Sequence, residues 1–438
     1  MGMQPDETER FEATEIQDLA DFVKLKFHGR GSSPALENAN EKKLNFVKIR
    51  GQSHGARSAR NLSITFGKIS ALVGLLRAIG SQSYAKPITV EEERELGHVS
   101  DDLKKRAKAA FDDSIAEWKE EDFEKRMNEY IEAVKLLREE RNDLKEHGCH
   151  KERDTFGVIV YQGCDEARKA AYNQNANKNS HFKKWATTLK HNHENYQPYT
   201  TKIYEVFHAL ALEKASTARA RQLTPNQKNE ILEYAYAYEA FGCHYLANAF
   251  TSSRMRTPKL EILKSTQFDK KGQLLCNQMH DEDNENGLRV RSKAYNSSWI
   301  AYGDKMLHHT TNSTNFKRAR EAVQLGVNEV FQASEIEKPQ MAINESGVFN
   351  LIPYIDPQDE NNTPMFQVRA QDGKVCRRKE LNDLQCKKPP IDYWTPDATL
   401  DVLNQSQRAN GINHSCDKEN LADRTNNQYC KVNKEKSD

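Results

Sequence analysis

Apolar positions in this chain recur mostly at three- and four-residue steps, the spacing that places side chains on one helix face. From about residue 90 to 147 they keep this spacing on a strongly charged background, a pattern typical of long amphipathic helices with a solvated face. Shorter helical patterns cover 11–27 and 64–80. The segment between those two is rich in Gly, Ser, Asn and basic residues, which predicts a loop.

The middle of the chain contains the clearest helical signals. One helix is predicted for 198–222, and a further one for 315–333. A third begins at Thr224, because Thr-Pro-Asn-Gln provides an N-cap, a proline in the first turn and Gln227 to reach back. One face of this helix is predicted to pack in the core. Its apolar stripe consists of Ile231, Tyr234, Tyr238, Phe241 and Tyr245.

The pattern changes beyond Pro339 to short extended pieces at 348–354 and 365–369, followed by a turn at Asp372-Gly373. After about Asp401 the chain is dominated by Asn, Asp, Lys, Gln and Ser, a composition typical of loosely ordered tails. We therefore expect a mainly α protein with a helical domain over 1–335. We expect a small β-containing appendage over 336–400, followed by a polar tail over 401–438.

Composition narrows the classes of function. The 438 residues include 65 Lys and Arg against 64 Asp and Glu, so the net charge gives no nucleic-acid footprint. No apolar run approaches the ~20 residues of a membrane span. The acidic and polar N-terminus does not resemble a signal peptide, and eight scattered cysteines favour a reducing compartment. We expect a cytoplasmic protein, or one exported without a cleavable signal peptide.

A polar pair interrupts the otherwise apolar helix that ends before Pro258. His244 and Asn248 are four residues apart and so project from one face. Arg254 follows near the point where Pro258 should stop the helix and where the chain could turn back. Because buried polar groups need partners, this face is predicted to line a polar pocket.

Other candidate groups are less specific. The loop His280-Asp-Glu-Asp283 offers nitrogen and oxygen ligands for Zn²⁺ or another divalent ion, although such a cluster alone is more often a solvated acidic loop. His208 lies among apolar neighbours, where a lone histidine is more often a hydrogen-bonded core residue than a ligand. The sequence contains no nucleophile elbow, phosphate-binding glycine loop or dinucleotide fingerprint.

Several segments taken in order resemble a known family. They are Ile64-Thr-Phe-Gly67, Ala71-Leu-Val-Gly74, 192–198 with Tyr204 and His208, Glu239-Ala to His244, Arg254-Met-Arg-Thr-Pro258, His280-Asp-Glu-Asp-Asn284 with Gly287-Leu288, and Trp299-Ile-Ala-Tyr-Gly-Asp304. This order resembles the bacterial zinc-dependent phospholipase C group, within the wider superfamily of helical zinc phospholipases C and single-strand nucleases. The resemblance covers roughly residues 60–310, and the last hundred residues add nothing to it.

The resemblance implies an all-α hydrolase domain whose polar helix faces and loops hold a cluster of zinc ions. Such ions would polarise a phosphodiester in a phospholipid head group and activate a water molecule for attack on phosphorus. Carried over by position, His244, His280 and Asp283 would be metal ligands or close supports of ligands. His208 is a further candidate metal ligand, and the catalytic residue itself stays unassigned.

The chain departs from the family pattern at four positions. Asn248 and Leu75 each stand where an aspartate is expected. Arg254 and Asn195 each stand where a histidine is expected. Arginine has no lone pair for a metal, and leucine cannot coordinate at all. Several lost donors at once predict an incomplete or absent zinc cluster.

Three interpretations stay open at the level of sequence. His54, His191, His193 or Asp281 could complete a modified zinc site, which would keep a phosphodiesterase acting on phospholipid. Alternatively, the scaffold has lost its metals and become a binding protein, in which Asn248, Arg254 and Arg256 hold a phosphate or an acidic partner; an exported effector is one such protein. The third is a mainly structural interaction protein that binds a protein partner through its long charged helices and its appendage.

Overall fold

The computed structural model describes residues 13–29, 34–49, 59–77, 99–116, 125, 150–153, 159–162, 195–257, 259, 276, 280, 283–284, 287–303, 312–335, 346–356, 366–368 and 375–377. Over these residues the protein is mainly α, with only small antiparallel sheets, as the sequence predicts. The helices are α1 (Ala13–Asp21), α2 (Phe66–Arg77), α3 (Asp101–Ala116), α4 (Tyr199–Ser216), α5 (Pro225–Ala249), α6 (Ser252–Arg256), α7 (Ser313–Glu335) and α8 (Val348–Leu351).

The strands form four hairpins and one three-stranded sheet within the described residues. The hairpins pair β1 (Lys24–Phe27) with β2 (Ala35–Asn38), β3 (Lys43–Ile49) with β4 (Ala59–Thr65), β5 (His150–Arg153) with β6 (Ile159–Gln162), and β10 (Phe366–Val368) with β11 (Val375–Arg377). The three-stranded sheet places β7 (Leu288–Ser292) between β8 (Tyr295–Ala301) and β9 (Tyr354–Ile355).

Helices α4 and α5 pack along each other at the centre of the protein, and α1, α2 and α7 pack around α5. Every residue of α5 from Ala235 to Ala249 is buried, so the helix has no solvated face over this stretch. Its start matches the sequence prediction, because the Thr224 side chain and the Gln227 side chain form a capping box. Within the predicted apolar stripe, Tyr238, Phe241 and Tyr245 lie in the main hydrophobic core.

The N-terminal part differs from its sequence prediction. The helix predicted for 11–27 ends at Asp21 and is followed by β1, while the predicted loop contains the strands β2, β3 and β4. The helix α5 stabilises strands of both segments: in β1 the Lys26 N–H donates to the Tyr236 hydroxyl at 3.3 Å, and in β3 the Asn45 N–H donates to the Glu233 carboxylate at 2.7 Å. Local composition does not report such contacts, since the partners lie about 200 residues away.

The segment predicted as extended over 348–354 is instead the one-turn helix α8 followed by strand β9. Val348 is fully buried in the main core, and β9 pairs with β7. Residues 346–356 thus pack on the helical domain, although they lie beyond 335. Residues 365–369 contain β10, paired with β11, as the extended pattern predicts. The turn between them lies outside the described residues, as do 401–438, and the predicted domain boundaries stay predictions.

Helix α3 confirms the amphipathic pattern over 101–116, since Leu103, Ala107, Phe111 and Ile115 are buried and Asp101, Asp102 and Lys105 face solvent. The rest of the predicted charged helices, to residue 147, falls outside the described residues apart from Lys125. None of the helices among the described residues is long and apolar enough to cross a membrane.

Candidate functional site

The C-terminal half of α5 carries the polar pair that the sequence singled out. His244 is 3% exposed and Asn248 is fully buried. The His244 ring lies edge-on to the ring of Tyr245, with 5.3 Å between the centroids. Both side chains are therefore inside the protein, and the polar pocket expected at this face stays a prediction.

Helix α5 ends at Ala249 with Phe250 as its C-cap, and after Thr251 the chain turns into the short helix α6. This turn brings Arg254 back onto α5, where its Nη1 donates to the Asn248 side-chain oxygen. The Arg254 carbonyl also accepts a hydrogen bond of 2.8 Å from the Gln197 N–H. The predicted return of the chain to the polar pair is thus present, and it joins α6 to the segment that precedes α4.

Arg256, at the other end of α6, forms a buried ion pair with Asp283. The Arg256 Nε donates to Asp283 Oδ2 at 3.1 Å, and its Nη2 donates to Oδ1. The backbone of Asp283 is held as well, because the Ser252 hydroxyl donates to its carbonyl at 2.8 Å. Burial raises the pKa of the Asp283 carboxyl, and the contact with Arg256 opposes this rise. Asp283 therefore serves as the counter-ion of an arginine.

An aromatic ring, that of Tyr196, contacts two further basic side chains in this region. Tyr196 lies 6.2 Å from the His280 ring, centroid to centroid, and the Lys259 ammonium lies 5.1 Å above the Tyr196 ring centroid. Asn284 contacts the His280 ring at 3.4 Å between its Nδ2 and Nδ1. All four side chains are buried. We call the group formed by Asn248, Arg254, Arg256, Lys259, Asp283, Tyr196 and His280 the α6 cluster.

Six of the seven predicted site residues belong to this region: five are in the α6 cluster and His244 lies one turn before Asn248. The seventh, His208, contacts a different set of side chains. Its Nδ1 lies 2.7 Å from Glu239 Oε2 and its Nε2 lies 3.0 Å from Glu329 Oε2. The Tyr204 hydroxyl donates to Glu239 at 2.9 Å, and the Ser346 hydroxyl donates to Glu329 at 2.6 Å. We call this second group the His208 network.

The two carboxylates keep His208 charged. Burial favours the neutral imidazole and is the largest single effect on this side chain, yet Glu239 and Glu329 together outweigh it and raise the pKa of His208 to about 10. The imidazolium then donates one hydrogen bond to each carboxylate. His208 is therefore a buried cation between two acids, in the geometry of an ion-pair network rather than that of a metal ligand.

The His208 network also places a serine near the histidine, since Ser346 Oγ lies 3.4 Å from His208 Nε2. With Glu239 at Nδ1, this arrangement has the order of a Ser-His-acid triad. A triad histidine must accept the serine proton, and a histidine with a pKa of about 10 already carries its proton at neutral pH. The Ser346 hydroxyl donates instead to Glu329. The network thus has a structural role.

Among the described residues, no group of three or more His, Cys, Asp or Glu side chains is placed to hold a metal ion. The Asp283 carboxylate contacts Arg256 through both oxygens, and the Asn248 oxygen contacts Arg254. The donors described in this region therefore do not fit the zinc cluster that the family resemblance implies. His54, His191, His193 and Asp281, the substitutes considered from the sequence, lie outside the described residues.

Two other departures from the family pattern can be located. Asn195 is buried at the start of the segment that leads through Tyr196 and the cis Gln197–Pro198 bond into α4. Leu75 lies in the last turn of α2. Asparagine has no imidazole nitrogen to offer a metal at position 195, and leucine has no donor atom at position 75.

Sequence reasoning missed Lys259, Glu239, Glu329 and Ser346. Glu239 offered a signal, since it is the one acid in the run Tyr234-Ala-Tyr-Ala-Tyr-Glu-Ala-Phe241 and such an acid needs a partner when the helix is buried. Glu329 and Ser346 gave no local signal, because their partner His208 is more than 120 residues away.

Comparisons of this chain with models of protein families, with curated proteins and with solved structures found no match. The resemblance to zinc-dependent phospholipases C therefore stays a prediction.

Proposed function

We propose that this protein binds a phosphate group, free or in an ester, at the α6 cluster, on a phospholipase C-like scaffold without the family's zinc cluster. The observation that carries the proposal is the pairing within the cluster: Arg256 with Asp283, and Arg254 with Asn248. Arg254 stands where the family resemblance implies a histidine ligand, and Arg256 contacts Asp283, which the resemblance implies as a further ligand. A fixed positive charge thus stands at one of the implied ligand positions.

The chemistry of guanidinium supports an oxyanion ligand. Its planar set of N–H donors matches the oxygen atoms of a phosphate, and charge-assisted hydrogen bonds of this kind are about twice as strong as neutral ones. Asn248 and Asp283 hold the two arginine side chains in defined orientations, which lowers the entropy lost when a ligand binds.

Charge supports the same ligand class. The groups named in the α6 cluster include three cations, Arg254, Arg256 and Lys259, and one anion, Asp283. Two unit charges at 4 Å interact by about 4 kcal/mol at an effective dielectric constant of about 20. The guanidinium and ammonium groups of the cluster attract an anionic ligand and repel Zn²⁺.

Isothermal titration calorimetry of the full chain with inorganic phosphate tests the proposal. Replacing Arg254 by Gln removes a cation whose described partner is a neutral amide, and should weaken phosphate binding at least tenfold, as expected for a charge-assisted bond of about 1.5–3 kcal/mol. Arg320→Gln is the matched control, since this arginine packs on Phe22 and Phe316 of the α1–α7 surface. Equal affinity of wild type and Arg254→Gln would refute the proposal.

A second candidate is a zinc-dependent phosphodiesterase, favoured by the two buried imidazoles of His244 and His280. Bound zinc would polarise the phosphoryl group and lower the pKa of a water molecule. Metal analysis and hydrolysis of bis(p-nitrophenyl) phosphate distinguish the candidates. We expect little zinc and slow hydrolysis in wild type, and higher zinc affinity after Asn248→Asp with Arg254→His. Full zinc occupancy, rapid hydrolysis and loss of both in His244→Ala would establish the enzyme instead.

A further inference from the structure

Three buried hydrogen-bond donors lie within ten residues of chain around α6. They are the Asn248 amide nitrogen, the Ser253 hydroxyl and the Thr257 hydroxyl, and none of them has a hydrogen-bond partner among the residues that the structure describes. Asn248 and Ser253 are fully buried and Thr257 is 1% exposed. These donors are thus enclosed in the same part of the protein as Arg254 and Arg256.

Such donors are uncommon in folded proteins, because a buried polar group without a partner loses its hydrogen bonds to water and gains none in return. The neighbouring serine shows the usual situation, since the Ser252 hydroxyl donates to the Asp283 carbonyl at 2.8 Å. Ser292 and Asn312 also have a buried donor without a partner among the described residues, but they lie on separate elements. Around α6, by contrast, three such donors lie close together in the chain, which points to one ligand that accepts hydrogen bonds from all of them.

Helix geometry groups these donors with an arginine. Ser253, Arg256 and Thr257 are spaced i, i+3 and i+4, so they project from one side of α6 and its C-terminal end. Asn248 reaches the same short helix through its contact with Arg254. Neutral donors therefore accompany both guanidinium groups of the α6 cluster.

We infer that Asn248, Ser253 and Thr257 donate hydrogen bonds to a terminal phosphate, so that the ligand is a phosphomonoester or inorganic phosphate rather than a phosphodiester. This inference rests on the proposed function. A terminal phosphate has three non-bridging oxygens and carries a charge of about −1.5 to −2 at neutral pH. A phosphodiester has two such oxygens and a single charge, so it satisfies fewer of the donors and is attracted less strongly by the guanidinium groups.

Methyl phosphate and dimethyl phosphate form a matched pair of probes, because they differ by one methyl group on one oxygen. Calorimetric titration of the full chain should give at least tenfold tighter binding of methyl phosphate. Ser253→Ala should weaken methyl phosphate binding about tenfold, as expected for the loss of one hydrogen bond to a charged group. The same substitution should change dimethyl phosphate binding less.

Stability measurements separate this role from a structural one, with Ser252→Ala as the control. Ser252→Ala removes a formed hydrogen bond and should lower Tm. Ser253→Ala removes a buried hydroxyl that no described residue accepts from, so the Tm of the ligand-free protein should stay unchanged or rise. The expected signature of Ser253→Ala is therefore a loss of affinity without a loss of stability.

The possible failures are distinguishable. If neither probe binds and Arg254→Gln changes nothing, the proposed function is wrong and the inference fails with it. If Arg254→Gln abolishes binding but dimethyl phosphate binds as tightly as methyl phosphate, the proposed function stands and the inference is overturned. An unchanged affinity for methyl phosphate in Ser253→Ala overturns it as well.

Discussion

At the scale of single residues, the most consequential side chain outside the α6 cluster is His208. It is fully buried, and its charge balances part of the charge of Glu239 and Glu329. Removing one member of such a network leaves the others buried without compensation. We expect His208→Ala to lower the free energy of unfolding at pH 7 by about 3–5 kcal/mol, measured by urea denaturation.

The pH dependence of stability tests the charge on His208 directly. Its pKa in the folded protein is about 10, whereas an unfolded chain has a histidine pKa of about 6.5. The folded state therefore binds the proton more tightly, so the stabilisation is complete below about pH 6.5 and is lost as the pH rises through about 10. The difference in free energy of unfolding between wild type and His208→Gln should shrink over this range.

His28 is the matched control for that titration. It is partly buried, and burial lowers its pKa, so it is neutral throughout the alkaline range. His28→Gln should therefore give a stability difference from wild type that does not change between pH 7 and 10. A constant difference in His208→Gln would show that His208 is not the charged centre of the network.

At the scale of elements, the close approach of α7 to α4 and α5 depends on Gly326. A Cβ atom at this position would lie 2.7 Å from the Tyr204 hydroxyl, and closer still to the Glu239 carboxylate. Gly326 thus leaves room for the partners of His208, although glycine is a poor helix former. The His208 network and the packing of three helices are therefore coupled.

Gly326→Ala tests this coupling. An exposed Gly→Ala change in a helix normally adds about 0.5–1 kcal/mol of stability, whereas overpacking a core costs about 1–3 kcal/mol. We expect the variant to be destabilised, since the Cβ would displace Tyr204 or Glu239. Gln332→Ala, at an exposed position of the same helix, is the control and should change the free energy of unfolding little. A stabilised Gly326→Ala variant would contradict the described packing.

At the scale of the whole molecule, residues 346–356 connect the helical core to the sheet beside the α6 cluster. The Ser346 hydroxyl and the Gly347 N–H donate to Glu329, at 2.6 and 2.8 Å, and β9 pairs with β7. β7 begins just after Asp283 and Asn284. This segment therefore stabilises both the His208 network and the strand that follows the candidate site.

Two truncated chains test the contribution of this segment. A chain that ends after Asp356 keeps these contacts, whereas a chain that ends after Glu345 loses the Ser346 and Gly347 hydrogen bonds, the β9 pairing and the burial of Val348. We expect the shorter chain to have the lower Tm, and Val348→Ala in the longer chain to lose about 2–4 kcal/mol as an apolar core truncation of this kind. Equal Tm values would place the limit of the folded domain before 346.

Local interactions explain what the sequence determined by itself. The mainly α character, the capped start of α5 at Thr224 and the buried polar face of His244 and Asn248 all depend on residues within one or two helical turns of each other. Spacing and capping chemistry report such interactions directly. The return of Arg254 to Asn248 belongs to this class as well, since six residues and one turn separate them.

Only the tertiary structure decided the pairings between distant residues. Arg256 meets Asp283 across 27 positions, and His208 meets Glu329 across 121, so no local pattern could assign Asp283 to an arginine or His208 to two carboxylates. The same holds for the strand β3 within the predicted loop, since the Glu233 carboxylate of α5 accepts a hydrogen bond from the Asn45 N–H that local composition does not encode. These charged side chains are buried, and without solvent to screen them they must pair with each other. That pairing determines which residues can bind a ligand.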